Sequence, residues 1–238
     1  MPKTVRAGAL AASTIVATML AACGGSTGGT TPTSIANVAS TATIATPTED
    51  AGVLATRVAD STAAKLGPML LSTADYPQDL RLQQQGAKIL PARDVPGLTS
   101  EASGFFATVA SAAGDEFVNL IVLAAEDKRG ASAVLDALTP ENYLAGLTQG
   151  ARDAATSPFD LSSAPPGSKG FRYSGTVPAS VPGQTIGRSI SGQALGFVRG
   201  NAYVLLVHGV YVPSTRGIDV ATIGSAIEAR LAASGAVN

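Results

Sequence analysis

Apolar residues recur along this chain in two periods, and the change from one to the other marks out the elements. Val53, Leu54, Arg57, Val58 and Leu66 trace the face of a helix that starts at Thr48-Glu49-Asp50 and is expected to stop at Gly67-Pro68. A short capped turn is expected between Met69 and Tyr76, closed by Pro77. From Asp79 to Leu90 the alternation of Leu80 and Leu82 with polar residues predicts a first strand. Two hairpins follow the period of two. Gly104–Ala110 and Glu116–Leu123 flank Ala113-Gly114-Asp115, and Ile186–Val198 and Ala202–Val212 flank Arg199-Gly200-Asn201. A further strand is expected over Lys169–Val177.

Helical spacing returns after each hairpin. Val134, Leu135 and Leu138 predict a helix over Gly130–Leu138, and Thr139-Pro140-Glu141 is an N-cap with proline at the first helical position, opening another through Tyr143, Leu144 and Leu147. Val220, Ile223, Ile227 and Leu231 form one stripe of a helix from Asp219 to Ala233, expected to lie on the sheet that contains Phe197 and Leu205. The expected fold is α+β: an antiparallel sheet of about five to six strands packed with helices, the C-terminal helix on the sheet. Phe117–Leu123 and Ala202–Val212 are apolar at successive positions, so both strands are expected to be central and covered on both faces. Two coverings fit. Helices cover one face and the Pro-, Gly- and Ser-rich segment from Pro158 to Pro182 the other, or part of the second face lines an apolar groove for a small ligand.

The first 50 residues have a different pattern. A basic start at Lys3 and Arg6 precedes an apolar run from Ala7 to Met19, which is shorter than the roughly 20 residues a membrane span needs. It ends in Leu20-Ala21-Ala22-Cys23, and Cys23 is the chain's one cysteine. Disulfides within the chain are therefore excluded. From Gly24 to Thr48 the sequence is mostly Gly, Ser, Thr, Ala and Pro with no charge before Glu49, a composition unable to bury enough surface to order itself. The expected division is a signal peptide over 1–22, a flexible tether over 23–48 and one domain over 49–238.

Composition narrows the function. The formal net charge is −1, and removal of Lys3 and Arg6 makes the remainder more acidic, which argues against a nucleic-acid partner. Six Phe, five Tyr and no Trp supply few platforms for stacking sugars or bases. Gly24-Gly25-Ser26-Thr27-Gly28 fits G-x-S-x-G, but a nucleophile elbow needs a strand before it and a helix after it. One histidine cannot build a zinc site, and no phosphate-loop or calcium-loop spacing occurs. No catalytic residue, cofactor or metal is therefore expected. The histidine, His208, stands in the most apolar strand and is expected to be a buried neutral imidazole or, with Leu206 and Val210, to line a ligand pocket. Asp115 and Glu116 read as turn acids, and Lys169, Arg172 and Arg188 as a small basic edge.

Leu20-Ala21-Ala22-Cys23 resembles the lipobox of bacterial lipoproteins. That resemblance implies cleavage before Cys23, diacylglycerol on its sulfur, and an acyl chain such as palmitate on the new amine, with anchoring at about 0.8 kcal/mol per buried methylene. The order of elements and the ending GFVRGNAYVLLVHGVYVP…GIDVATIGSAIEARLA resemble the extracytoplasmic α+β domains of bacterial lipoproteins and sensor ectodomains, including PknH-type kinases and PsbP-like proteins. They imply a non-enzymatic role at the cell envelope, on the extracytoplasmic side of a membrane. The expected function is a lipid-anchored module binding a small, apolar ligand or envelope component. The alternatives are a scaffold lipoprotein that binds another envelope protein and a hydrolase without a recognisable motif.

Overall fold

The structure, a computed structural model, describes residues 51–147, 152–181, 184–211 and 218–237. The expected signal peptide, the tether, Cys23 and the G-x-S-x-G match lie outside the described residues. The N-terminal helical stretch is two helices, α1 (Ala51–Asp60) and α2 (Thr62–Leu70). They divide at Ser61, whose extended backbone lets its hydroxyl accept from Ala64 N and cap α2. The expected stop at Gly67-Pro68 does not occur: α2 runs through Pro68 to Leu70. Leu66 and Leu70, four residues apart, are both buried against the sheet, and that packing outweighs the hydrogen bond proline cannot make. A 3-10 turn at Thr73–Asp75 sits within the expected turn.

One antiparallel sheet has seven strands: β1 (Arg81–Leu90), β2 (Ala102–Ala110), β3 (Glu116–Ala124), β4 (Arg152–Ser157), β5 (Lys169–Val181), β6 (Gln184–Arg199) and β7 (Ala202–Val210). Their order is β1-β2-β3-β7-β6-β5-β4. Two meanders, β1–β3 and β4–β7, therefore join along the single seam between β3 and β7, where Glu116 pairs with Val210 and Ala124 with Ala202. The tight turns behind β2 and β6 use Gly114 and Gly200 at positive φ, 67° and 55°. β4 is the strand beyond the expected count. Its sequence RDAATS has no apolar alternation because it is a mostly exposed edge, with a register irregularity between Arg152 and Ala155.

Helices cover both faces, so the sheet is the middle of three layers. On one face α2 and α5 (Val220–Ser234) pack with Phe105, Val118, Leu120, Leu195, Phe197, Val204 and Leu206. On the other, α3 (Lys128–Ala137) and α4 (Pro140–Leu147) pack with Phe117, Ile121, Leu123, Phe171, Tyr173, Tyr203 and Leu205. The apolar character of β3 and β7 on successive positions thus reflects two cores. The expected covering of the second face by residues 158–182 is replaced by α3 and α4, since most of that segment is strand β5. The remaining loop, through Phe159, Leu161 and Ala164, joins the α5 face. The α5 stripe rests on Phe197 and Leu206 as expected in kind, but Leu205 points to the opposite face. Val220, Ile223, Ile227 and Leu231 are all buried, each worth about 1.5–3 kcal/mol of transfer free energy. Asp219 caps α5 by accepting from Ala221 N at 3.0 Å, and Asp127 and Thr139 do the same for α3 and α4. Among the described residues no helix is long and apolar enough to cross a membrane.

Candidate functional site

The register sets a polar patch into an otherwise apolar face. On the α5 side one row across the sheet reads Ser157, Arg172, Gln193, His208 and Val118, and the next reads Ala155, Ser174, Ser191, Val210 and Glu116. α5 begins at Val220 and seats Gly224 against Leu195 and Leu206, one row further along. The polar rows are therefore left beyond the end of the helix. There they form a recess of about 440 Å³, lined by Ser157, Arg172, Ser174, Ser191, Gln193, His208, Val210 and Ile218 among others. A smaller hollow of about 290 Å³ adjoins it, sharing Arg172, Gln193 and Ile218 and adding Phe159, Asp160, Ser163 and Asp219.

His208 and Val210 thus line one recess, while Leu206, expected beside them, has no exposed surface and belongs to the core. His208 itself is only 6 % exposed. Its Nε2 lies 3.1 Å from Oε1 of Glu116, a carboxylate buried diagonally across the β3–β7 seam and 92 residues away in sequence. Desolvation pulls the His208 pKa below its ordinary value, against the opposing pull of Glu116, so the ring is neutral near pH 7. Sequence reading treated Glu116 as a turn acid; Asp115, which accepts from the Ser111 hydroxyl, is one. Nothing local signals the Glu116 pairing, because it depends on which strand lies beside β3.

Opposite His208, on the α3–α4 face, the Tyr173 hydroxyl donates to the His208 carbonyl at 2.8 Å. It can approach because Gly192 and Gly209, paired across β6 and β7, have no side chains to fill that space. Tyr143 closes over Tyr173 and Phe171, with ring centroids 5.1 Å away from each. Burial raises the Tyr143 and Tyr173 hydroxyl pKa values well above 10, so both remain protonated.

The expected basic edge is resolved into separate roles. Lys169 Nζ pairs with Asp136 at 2.8 Å and Arg188 stacks over the Tyr211 ring at 4.5 Å. Arg172 alone of the three reaches the recess, where it makes no ion pair with a described residue. Gln193 brings a buried amide oxygen without a hydrogen-bond partner. Among the described residues, no serine hydroxyl hydrogen-bonds to His208, and no three His, Cys, Asp or Glu side chains converge as a metal centre requires. The arrangement supplies a cation, hydroxyls, an amide and a limited aliphatic wall, which are binding groups.

No family model and no curated protein matches the sequence. Among solved structures the chain is similar to the extracellular domain of PknH from Mycobacterium tuberculosis, at 12 % identity and a TM-score of 0.35. The match covers 72 % of this chain and 95 % of that one.

Proposed function

We propose that this chain is a lipid-anchored, extracytoplasmic and non-enzymatic binding module, with its ligand held in the recess beside His208. The recess carries the reading: it falls within the 300–1,000 Å³ of small-molecule sites and contains convergent polar groups on a rigid sheet. Anchoring and location rest on the basic, apolar and Leu20-Ala21-Ala22-Cys23 succession. Ala155, Val210 and Ile218 give the recess an apolar wall beside its serines, Gln193 and Arg172, so an amphipathic ligand suits the site. Native mass spectrometry of the full chain purified from its own host tests the proposal, beside a Ser174→Trp variant that fills the recess. A small bound mass that the variant loses is expected. A bound mass retained by Ser174→Trp, a protein partner in its place, or a ligand-free protein in both samples overturns the reading.

A further inference from the structure

We infer, on the reading that the chain is anchored through Cys23, that the corner of the domain formed by α1, α2 and β1 rests on the bilayer and turns an apolar face to it. Among the described residues, the large apolar side chains left exposed are Val53, Leu54, Met69 and Leu82, each 40 to 56 % accessible. Scattered singly over a domain they would need no explanation. They are gathered instead: Val53 and Leu54 lie on α1, Met69 on α2 and Leu82 on β1, and α1 packs against both α2 and β1. Exposed apolar surface concentrated in one region marks a contact. α1 supplies an independent sign. Leu54 and Val58, four residues apart, and Val53 beside them give it an apolar stripe, yet Gly52–Asp60 contains no buried residue. The core does not use that stripe up.

The occupant follows from where the rest of the chain enters. Residues 1–50 join the domain at Ala51, the first residue of α1, and residues 24–50 separate that point from Cys23. A coil of that length has a root-mean-square span of about 30 Å. β1 is one edge of the sheet and β4 the other, about 29 Å away at the usual strand spacing. An anchored chain therefore brings the α1–β1 corner to the lipid first and leaves β4 on the far side. Charge does not select the lipid: Arg57, Lys65, Arg81 and Lys88 stand against Asp60, Asp79 and Glu101, and Arg57 is paired with Glu101. The contact is then a shallow, apolar one at the headgroup boundary, and it needs no anionic lipid.

The chain has no tryptophan, so a single introduced one reports on its own surroundings. Met69→Trp and, on α4 beside β4, Glu141→Trp are each made in the full chain, purified from its own host and reconstituted into phosphatidylcholine vesicles with or without bromine on the acyl chains. Both positions are exposed, so neither substitution enters a core. With brominated lipid, Met69→Trp is expected to lose most of its emission and Glu141→Trp to keep its own, and adding Leu54→Asp with Leu82→Asp should restore the Met69→Trp signal. Equal quenching at the two positions, none at Met69→Trp, or quenching that survives the two aspartates overturns the docking face. So does a dimer in which a second copy shields Met69→Trp from the lipid. Fatty-acid labelling of the same samples reads the anchor separately. If Cys23 takes up no label the anchor reading fails, and vesicles added to the unanchored chain decide the face: quenching of Met69→Trp supports it and absence of quenching overturns it.

Discussion

Tyr173 and His208 touch through the sheet: the phenol on one face donates to the backbone carbonyl of a histidine whose ring is on the other. The strand between them is thereby fixed from the α3–α4 core while its side chain faces the recess. Tyr173→Phe should cost about 1–2 kcal/mol, because the buried carbonyl loses a partner. At this domain size that lowers Tm by several degrees. Histidine ring resonances in the variant should broaden or move; unchanged stability and spectra would show that the contact does not position His208.

The stability of the domain should depend on pH through His208. Its folded pKa lies below the unfolded value of about 6.5, so the unfolded chain takes up a proton first as pH falls. The contribution of the neutral ring is complete above about 6.5 and is lost as pH falls from there through the folded value. His208→Gln keeps a donor for Glu116 and removes the titration. Urea midpoints at pH 7.5 and 5 should differ less in His208→Gln than in the parent chain; equal differences would remove His208 from the account.

Gly67 is where α2 meets the Phe105 ring most closely, and a methyl group there would overlap the ring. Glycine to alanine in a helix is normally favourable by about 1 kcal/mol. Here the buried Phe105 has to move, so Gly67→Ala should instead destabilise by about 1–3 kcal/mol. Denaturant unfolding decides the sign, and a stabilised variant would mean that α2 shifts freely on β2.

The proposed anchoring depends on the Cys23 thiol alone. Cys23→Ser should leave the domain folded and move the protein from the membrane to the soluble fraction, with loss of fatty-acid labelling. A variant that still partitions with membranes and takes up label would end the lipoprotein reading.

The central strands were legible from sequence because two cores ask for apolar residues at successive positions, as in Ala202–Val210, all nine of which are buried. The cap residue Thr139 was legible for local reasons too. Edges were less so: β4 buries too little to impose a pattern, and the N-terminal helix is divided by a serine whose capping bond replaces an apolar break. Within the site, His208 and Val210 were visible as members of an apolar strand. Arg172 was visible only as an ordinary basic residue, and Glu116 and Gln193 had no distinguishing signal, because their roles follow from neighbours supplied by distant strands.

The single seam between the two meanders also governs the order in which the chain can become a protein. Until β7 is synthesised, β3 presents a largely apolar strand with one unpaired edge, and the β1–β3 meander has nothing to close against. Pairings such as Glu116 with Val210 span about half of the domain's sequence, so their loop-closure cost falls late and folding should be slow for the chain's size. A nascent chain halted before residue 202 is consequently expected to be sticky, protease-sensitive and dependent on chaperones, and to mature only when the last strand arrives.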